Sequence, residues 1–209
     1  MSFTGFPVAA LDFYDDLEVD NTKSFWEAHK AVYLESVRAP MTALVAELEG
    51  EFGAAKVFRP HRDVRFARDK TPYKTHQGAF VRLAPATGWY VELSPRGVRV
   101  GGGFYEASGP RLAAIREAMA DERTGTALAE MVAAYDADGW EVGGDTLKTA
   151  PRGHDREHPR IDLLRRKQLF VGRPYGFEED AIGPGLVERV RADWRTLRPL
   201  VEWLAARSE

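Results

Sequence analysis

Arg59, Arg62, Arg65, Lys70, Tyr73 and Lys74 stand close together in one short stretch of the chain, and their side chains share a chemistry. An arginine presents five donors in a planar fork and stays charged at physiological pH, which suits bidentate contact with a phosphate or carboxylate. Three converging forks would cradle an anion. Arg59, Arg62 and Arg65 are spaced by three, so a helical turn would put them on one face. An extended backbone would instead point Arg59 and Arg65 away from Arg62. In either geometry Asp63 is the expected internal partner that orients one arginine. Lys70 and Lys74 add point charge, Tyr73 adds a hydroxyl, and Thr71-Pro72 marks a turn that returns these groups towards the arginines. His61 and His76 flank the cluster and, with Tyr73, are the candidates for moving protons.

Charge distribution supports a special status for this segment. Between Lys56 and His76, seven Lys or Arg against Asp63 and Asp69 give +5, which leaves −8 for the rest of a chain whose net charge is −3. A positive segment in a negative molecule focuses potential and draws in anions. The overall negative charge argues against a dedicated nucleic-acid binder. Three readings follow: a pocket for a phosphate- or carboxylate-bearing small molecule, a module docking an acidic partner or a nucleic-acid backbone, and a structural salt-bridge network. In the structural case the charges must be paired, and the pairing serves conformational specificity without a ligand. Whether the chain is an enzyme stays open at this point.

The stretch Arg59-Pro60-His61-Arg62-Asp63-Val64-Arg65-Phe66-Ala67-Arg68-Asp69-Lys70-Thr71-Pro72-Tyr73 fits the pattern Arg-x-x-Arg-Asp-x-Arg-Phe-x-x-x-Lys-x-x-Tyr at every defined position. This pattern resembles the signature of a bacterial family of conserved hypothetical proteins, domain of unknown function 2461. The resemblance extends through Asn21 to Tyr33, Pro72 to His76, Gly101 to Gly103 and Leu147 to His158. It implies that these residues matter, and it carries no activity with it.

Other signals are weaker. His154 and His158 are four apart, but Asp155-Arg156-Glu157 between them breaks the zincin pattern, and Pro151, Gly153 and Pro159 oppose a helix there; a solvated loop is expected and no metal site. Gly101-Gly102-Gly103 lacks the ending of a P-loop and the spacing of a dinucleotide fingerprint, so it reads as close backbone approach at a strand end. Asp136-Ala137-Asp138-Gly139 resembles the start of a calcium loop without its closing glutamate. Gly-x-Ser-x-Gly is absent. No cofactor is implied.

The elements that must position the cluster can be read from periodicity. Val8 to Leu17 forms an amphipathic helical stretch, and Asn21 or Thr22 caps the next helix. Phe25, His29, Tyr33 and Val37 share a helical stripe; Pro40 interrupts, and Met41, Leu44, Val45, Leu48 and Phe52 begin another helix with Pro40 in its first turn. Lys56 to Phe58, Phe80 to Leu83, Trp89 to Leu93 and Val98 to Val100 read as strands of an antiparallel meander, turning at Pro85 to Gly88 and Pro95 to Gly97. Leu112, Ile115 and Met119, then Leu128, Met131, Val132 and Tyr135, are helical, with Ser108 and Thr124 as expected caps. A polar turn spans Asp136 to Gly144, a loop spans Thr149 to Pro159, Ile161 to Leu164 is a helical turn, and Lys167 to Gly172 is a late strand. Leu186 to Leu204 forms a long amphipathic region bent at Pro199.

The expectation is a single α+β domain over residues 1–209, an antiparallel sheet packed against N-terminal, middle and C-terminal helices. A chain of 209 residues buries roughly 70% of its unfolded surface without staples. The absence of cysteine excludes disulfides and thiolate chemistry and fits a reducing cytosol. No secretory leader and no apolar run of about 20 residues is present, so a cytoplasmic protein without membrane contact is expected. No pattern speaks to the oligomeric state.

Overall fold

A computed structural model describes residues 2–65 and 69–207. Phe66 and Arg68 of the basic motif lie outside the described residues, as does Ala67 between them.

The chain opens with helix α1 (Val8–Val19), which buries Ala10, Phe13, Tyr14 and Leu17. Helix α2 (Lys23–Val32) is capped by Thr22, whose side chain accepts from the backbone N–H of Phe25. Asn21, the alternative cap, is used elsewhere. A π-helical turn over Tyr33–Arg38 then leads without a break into α3 (Ala39–Phe52). Pro40 does stand in the first turn of α3, but it does not interrupt the helical run. The N–H of Ala39 bonds the carbonyl of Leu34, five residues back, and this widened turn lets a helix accommodate a proline that can neither donate nor tolerate a close carbonyl. Gly53, at φ +94°, ends α3.

Six strands follow: β1 (Ala55–Val57), β2 (Gln77–Ala84), β3 (Thr87–Ser94), β4 (Gly97–Phe104), β5 (Glu141–Gly143) and β6 (Leu169–Gly176). They form one antiparallel sheet in the order β1-β2-β3-β4-β6-β5. β1 pairs with β2 with Lys56 opposite Phe80, and β5 pairs with β6 with Val142 opposite Val171. The meander β2-β3-β4 is joined by two-residue turns at Pro85-Ala86 and Pro95-Arg96, as the turn chemistry predicts.

The remaining helices are α4 (Gly109–Ala120), α5 (Glu122–Ala137), α6 (Ile161–Leu164), α7 (Glu179–Ile182) and α8 (Leu186–Ala205). Ser108 caps α4 as expected. The cap of α5 is Asp121 rather than Thr124: its carboxylate accepts from the Thr124 N–H at 2.8 Å, while the Thr124 hydroxyl donates back to Ala118 O at 2.6 Å. A carboxylate at the helix start is the stronger acceptor there and complements the helix dipole. Pro199 lies inside α8, which continues past it to Ala205. No described helix is long and apolar enough to cross a membrane.

Two compact units can be distinguished. The first comprises Met1–Val81, Tyr90–Val100 and Pro174–Ala192; the second comprises Arg82–Trp89, Gly101–Arg173 and Asp193–Glu209. In the first, Tyr14, Leu17, Met41, Leu44 and Leu48 are fully buried, as are Val91 and Leu93 of β3. In the second, Trp194, Phe104, Ile115, Met119, Leu128 and Leu164 fill the interior. There Arg160 closes the end of α4, donating to the carbonyls of Met119 at 2.9 Å and Ala120 at 2.7 Å. This satisfies carbonyls the helix itself cannot pair.

Gly97 is set by both conformation and space. It opens β4 at φ +90°, and a Cβ there would overlap the backbone carbonyl of Gly176. Gly97→Ala should therefore lower stability by at least about 2 kcal/mol in urea unfolding, because neither the strained φ nor a backbone neighbour can relax cheaply.

Candidate functional site

Backbone pairing shapes the basic segment. The N–H of Arg62 donates to Pro72 O and the N–H of Lys74 to Pro60 O, both at 2.8 Å, with His61 facing Tyr73 in an isolated antiparallel bridge. The extended geometry therefore holds around His61 and Arg62, and the three arginines do not share a helical face. The return is made by Asp69, whose Oδ1 accepts from both the N–H and the hydroxyl of Thr71 at 2.9 and 2.8 Å. An aspartate bonding the backbone two residues on is a turn device.

Asn21 fastens this arm to the helices. Its amide nitrogen donates to Tyr73 O at 3.0 Å and its oxygen accepts from the Tyr73 N–H at 3.1 Å, as a neighbouring strand would. The Tyr73 ring lies flat on Trp26, centroids 4.3 Å apart and planes 9° from parallel. Such stacking adds roughly 0.5–1.5 kcal/mol beyond the area buried. Burial, helped by Glu27, raises the pKa of the Tyr73 phenol, so it is a neutral hydroxyl and a poor base. His61 is exposed beside this stack, 5.2 Å from Tyr73 and 6.1 Å from Trp26 between ring centroids.

The basic residues then fall into two groups. Arg65 is bidentate to Asp63, with Nε to Oδ1 at 3.0 Å and Nη2 to Oδ2 at 2.7 Å. Asp63 is thus an internal partner, and the Arg65 bonds, first from the side chain and then from the backbone, hold its carboxyl below its usual pKa. Arg62 pairs with Asp69 and also reaches Tyr73 O at 3.5 Å. Asp69 is likewise depressed, chiefly by its Thr71 bonds and then by Arg62. Lys70 donates to Val64 O at 2.9 Å, closing the loop. In contrast, Lys56, Arg59 and Lys74 form no ion pair among the described residues. The Lys74 ammonium lies 5.3 Å from the centroid of Phe58. Its pKa is lowered by burial and then by Arg59, Arg62 and Lys56.

A second constellation adjoins the first. His76 Nε2 stands 3.8 Å from Glu92 Oε2, and the Tyr90 hydroxyl donates to the same carboxylate oxygen at 2.6 Å. Burial lowers the His76 pKa, Glu92 opposes it, and Lys74 and Arg62 add to the lowering. The imidazole is accordingly neutral near pH 7, and its contact with Glu92 is not an ion pair there. Burial, and then Glu92, pushes the Tyr90 phenol up. Gly78 makes this packing possible, since a Cβ there would overlap the Tyr90 hydroxyl. Gln77, 1% exposed, accepts from Tyr33 Oη at 2.7 Å and donates to Phe58 O and Gly78 O, each at 2.9 Å. Sequence inspection missed Tyr90 and Glu92. Their signal was the alternation in β3, where both occupy the register opposite buried Trp89, Val91 and Leu93.

The weaker motifs have structural explanations. His158 Nδ1 accepts from the Arg160 N–H at 3.0 Å and His154 rests 3.9 Å from Glu117. Among the described residues no three potential metal ligands cluster. Gly101 and Gly103 of β4 lie against the β6 backbone at Val171 and Leu169, which leaves no room for a side chain.

The basic arm, its Asn21 anchor and the 101–103 glycines coincide with the segments that carried the family resemblance. The family described as conserved hypothetical protein, domain of unknown function 2461, matches residues 9–203. The chain belongs to that family. Its match encloses every residue of both constellations. No curated protein matches the chain.

Two measurements test these assignments. The Arg62 side chain is 26% exposed and reaches two partners, whereas Arg65 is 77% exposed and pairs only with its near neighbour. Arg62→Ala should cost roughly 1–2 kcal/mol in chemical denaturation, and Arg65→Ala should leave the midpoint unchanged within error. His76 has its pKa depressed in the folded state, so the unfolded chain binds the extra proton first as pH falls. Stability should rise with pH up to the unfolded value of about 6.5 and then level off. The difference between wild type and His76→Gln across that interval isolates this slope.

Proposed function

We propose that the chain binds a phosphate- or carboxylate-bearing small molecule at Lys56, Arg59 and Lys74, with Arg62 as the fourth cation. One observation carries this reading: Lys74 is half-buried and forms no ion pair among the described residues, while Arg59, Arg62 and Lys56 lie near enough to lower its pKa. Arg62 has Asp69 as its partner, but Lys56, Arg59 and Lys74 form no ion pair among the described residues, and an entering anion would offset the repulsion among these like charges. Arg65 and Asp63 satisfy one another, and Lys70 bonds the backbone, so these three are the frame rather than the ligand contacts. Tyr73, stacked on Trp26, is part of the same frame.

Equilibrium unfolding with phosphate, pyrophosphate, sugar phosphates and citrate at two salt concentrations tests the proposal. An anion at about 100 times its dissociation constant should add about 2.7 kcal/mol to wild type. Lys74→Met should abolish that gain while being at least as stable as wild type without anion, because it relieves the repulsion. No selective gain for any anion, or an undiminished gain in Lys74→Met, overturns the assignment. A steep loss of binding with salt, shared by all polyanions, would instead indicate a nucleic-acid backbone as the partner.

A further inference from the structure

A proton acceptor adjoins the cation cluster. His76 is two residues beyond Lys74, and Lys74 and Arg62 both act on its imidazole. Glu92 faces Nε2 at 3.8 Å, which favours the neutral tautomer carrying its proton on Nε2. Nδ1 then holds the lone pair, and among the described residues it has no hydrogen-bond partner. The side chain is 35% exposed, so part of the ring is accessible to a small molecule. The carboxylate is itself restrained, since the Tyr90 hydroxyl holds Oε2 at 2.6 Å and Gly78 gives the Tyr90 ring its place. An oriented carboxylate, a neutral imidazole and a second nitrogen without a hydrogen-bond partner among the described residues make up the arrangement of a general base and its orienting group.

We propose that His76 Nδ1 is a general base that removes a proton from an O–H group at the anion site, and that Glu92 is its positioning residue. The proposal rests on the anion-binding reading and deepens it: the bound anion is a substrate, and it brings a hydroxyl, or a water beside it, within reach of Nδ1. In the step itself the O–H bond breaks and an N–H bond forms on Nδ1, and the oxygen keeps the electron pair. The imidazolium is stabilised by Glu92 and the new negative charge by the Lys74 ammonium. Reversal returns the proton, so the same ring then serves as the acid. The groups bearing on His76 are Glu92 from β3 and Lys74 and Arg62 from the basic arm, while Tyr90 acts through Glu92. Among the described residues His61, exposed beside the Trp26–Tyr73 stack, has no such carboxylate, and Tyr73 is a poor base; of the three proton carriers expected from sequence, His76 is the one with an orienting group among those residues.

Nitrogen-resolved NMR of the imidazoles in the full chain, with His76→Gln for assignment, tests this with inorganic phosphate as probe. Wild type should show the tautomer protonated on Nε2, and saturating phosphate should raise the His76 midpoint by roughly half a unit or more. Lys74→Met should lose the phosphate response. Glu92→Gln should lower the midpoint and weaken the tautomer preference. Tyr90→Phe, which keeps the carboxylate but frees it, should have the same effect on the tautomer to a smaller degree and serves if Glu92→Gln does not fold. Saturable phosphate binding that needs Lys74 yet leaves His76 unmoved, or a ring protonated on Nδ1, overturns the base assignment and leaves the anion site standing. If neither phosphate nor citrate, titrated in the same way, has a saturable effect on any resonance, both readings fall.

Discussion

The pairing of one side-chain amide with the backbone N–H and C=O of one residue organises the candidate site. Asn21 offers Tyr73 a donor and an acceptor at strand-like distances, 3.0 and 3.1 Å, just before α2 begins. The backbone N–H and C=O of a loop residue both need partners, and leaving them unpaired in a part-buried place is costly. With Tyr73 fixed, its ring meets Trp26, and the bridge to His61 sets the register of the outgoing chain. That register places Arg62 beside Asp69 and leads Lys74 and His76 towards β2 and β3. The Thr22 cap, one residue from Asn21, belongs to the same device: one turn starts the helix and anchors the arm.

The anchored arm divides its charges by length and position. Arg65 lies two residues from Asp63 and Arg62 lies across the turn from Asp69, so each finds a carboxylate supplied by the arm itself. Lys56 comes from β1 and Lys74 from the return, where no arm aspartate pairs with them. Arg62, Arg65 and Lys70 thus help to shape the loop, whereas Lys56, Arg59 and Lys74 form no ion pair among the described residues.

Much of the fold was legible because it depends on local patterns. The three meander strands, the stripes of α1, α3 and α5, and the Thr22 and Ser108 caps follow from alternation, helical spacing and turn chemistry. The π-helical turn was not, since a proline after a helical run signals a stop unless the preceding turn widens, and only packing of Tyr33 and Val37 decides that. Asp121 was overlooked as a cap because Thr124 is equally a capping type, and the choice rests on which residue leaves the helix. In the site, the motif itself stood out by residue type. The anchor Asn21 did not, because it acts across 52 residues to Tyr73 with nothing local to mark the contact, and Tyr90 and Glu92 did not, because their alternation in β3 does not reveal that they meet His76.

Glu92 illustrates why such groups escape a linear reading yet matter physically. A charged residue on a strand register with Tyr90 reads as the solvated face of a half-buried sheet. Here Gly78 on the neighbouring strand leaves space above the sheet, and the Tyr90 ring fills it and turns its hydroxyl to Glu92. The carboxylate then has a donor on one side and an imidazole on the other, which are the two partners that keep a partly buried charge tolerable. Removing either would leave the charge under-satisfied, so the three side chains form one unit whose position is set by a glycine. That unit adjoins Lys74, which forms no ion pair among the described residues, and in the proposed reading a neutral imidazole beside this positive charge is the combination that proton removal from an anionic molecule requires.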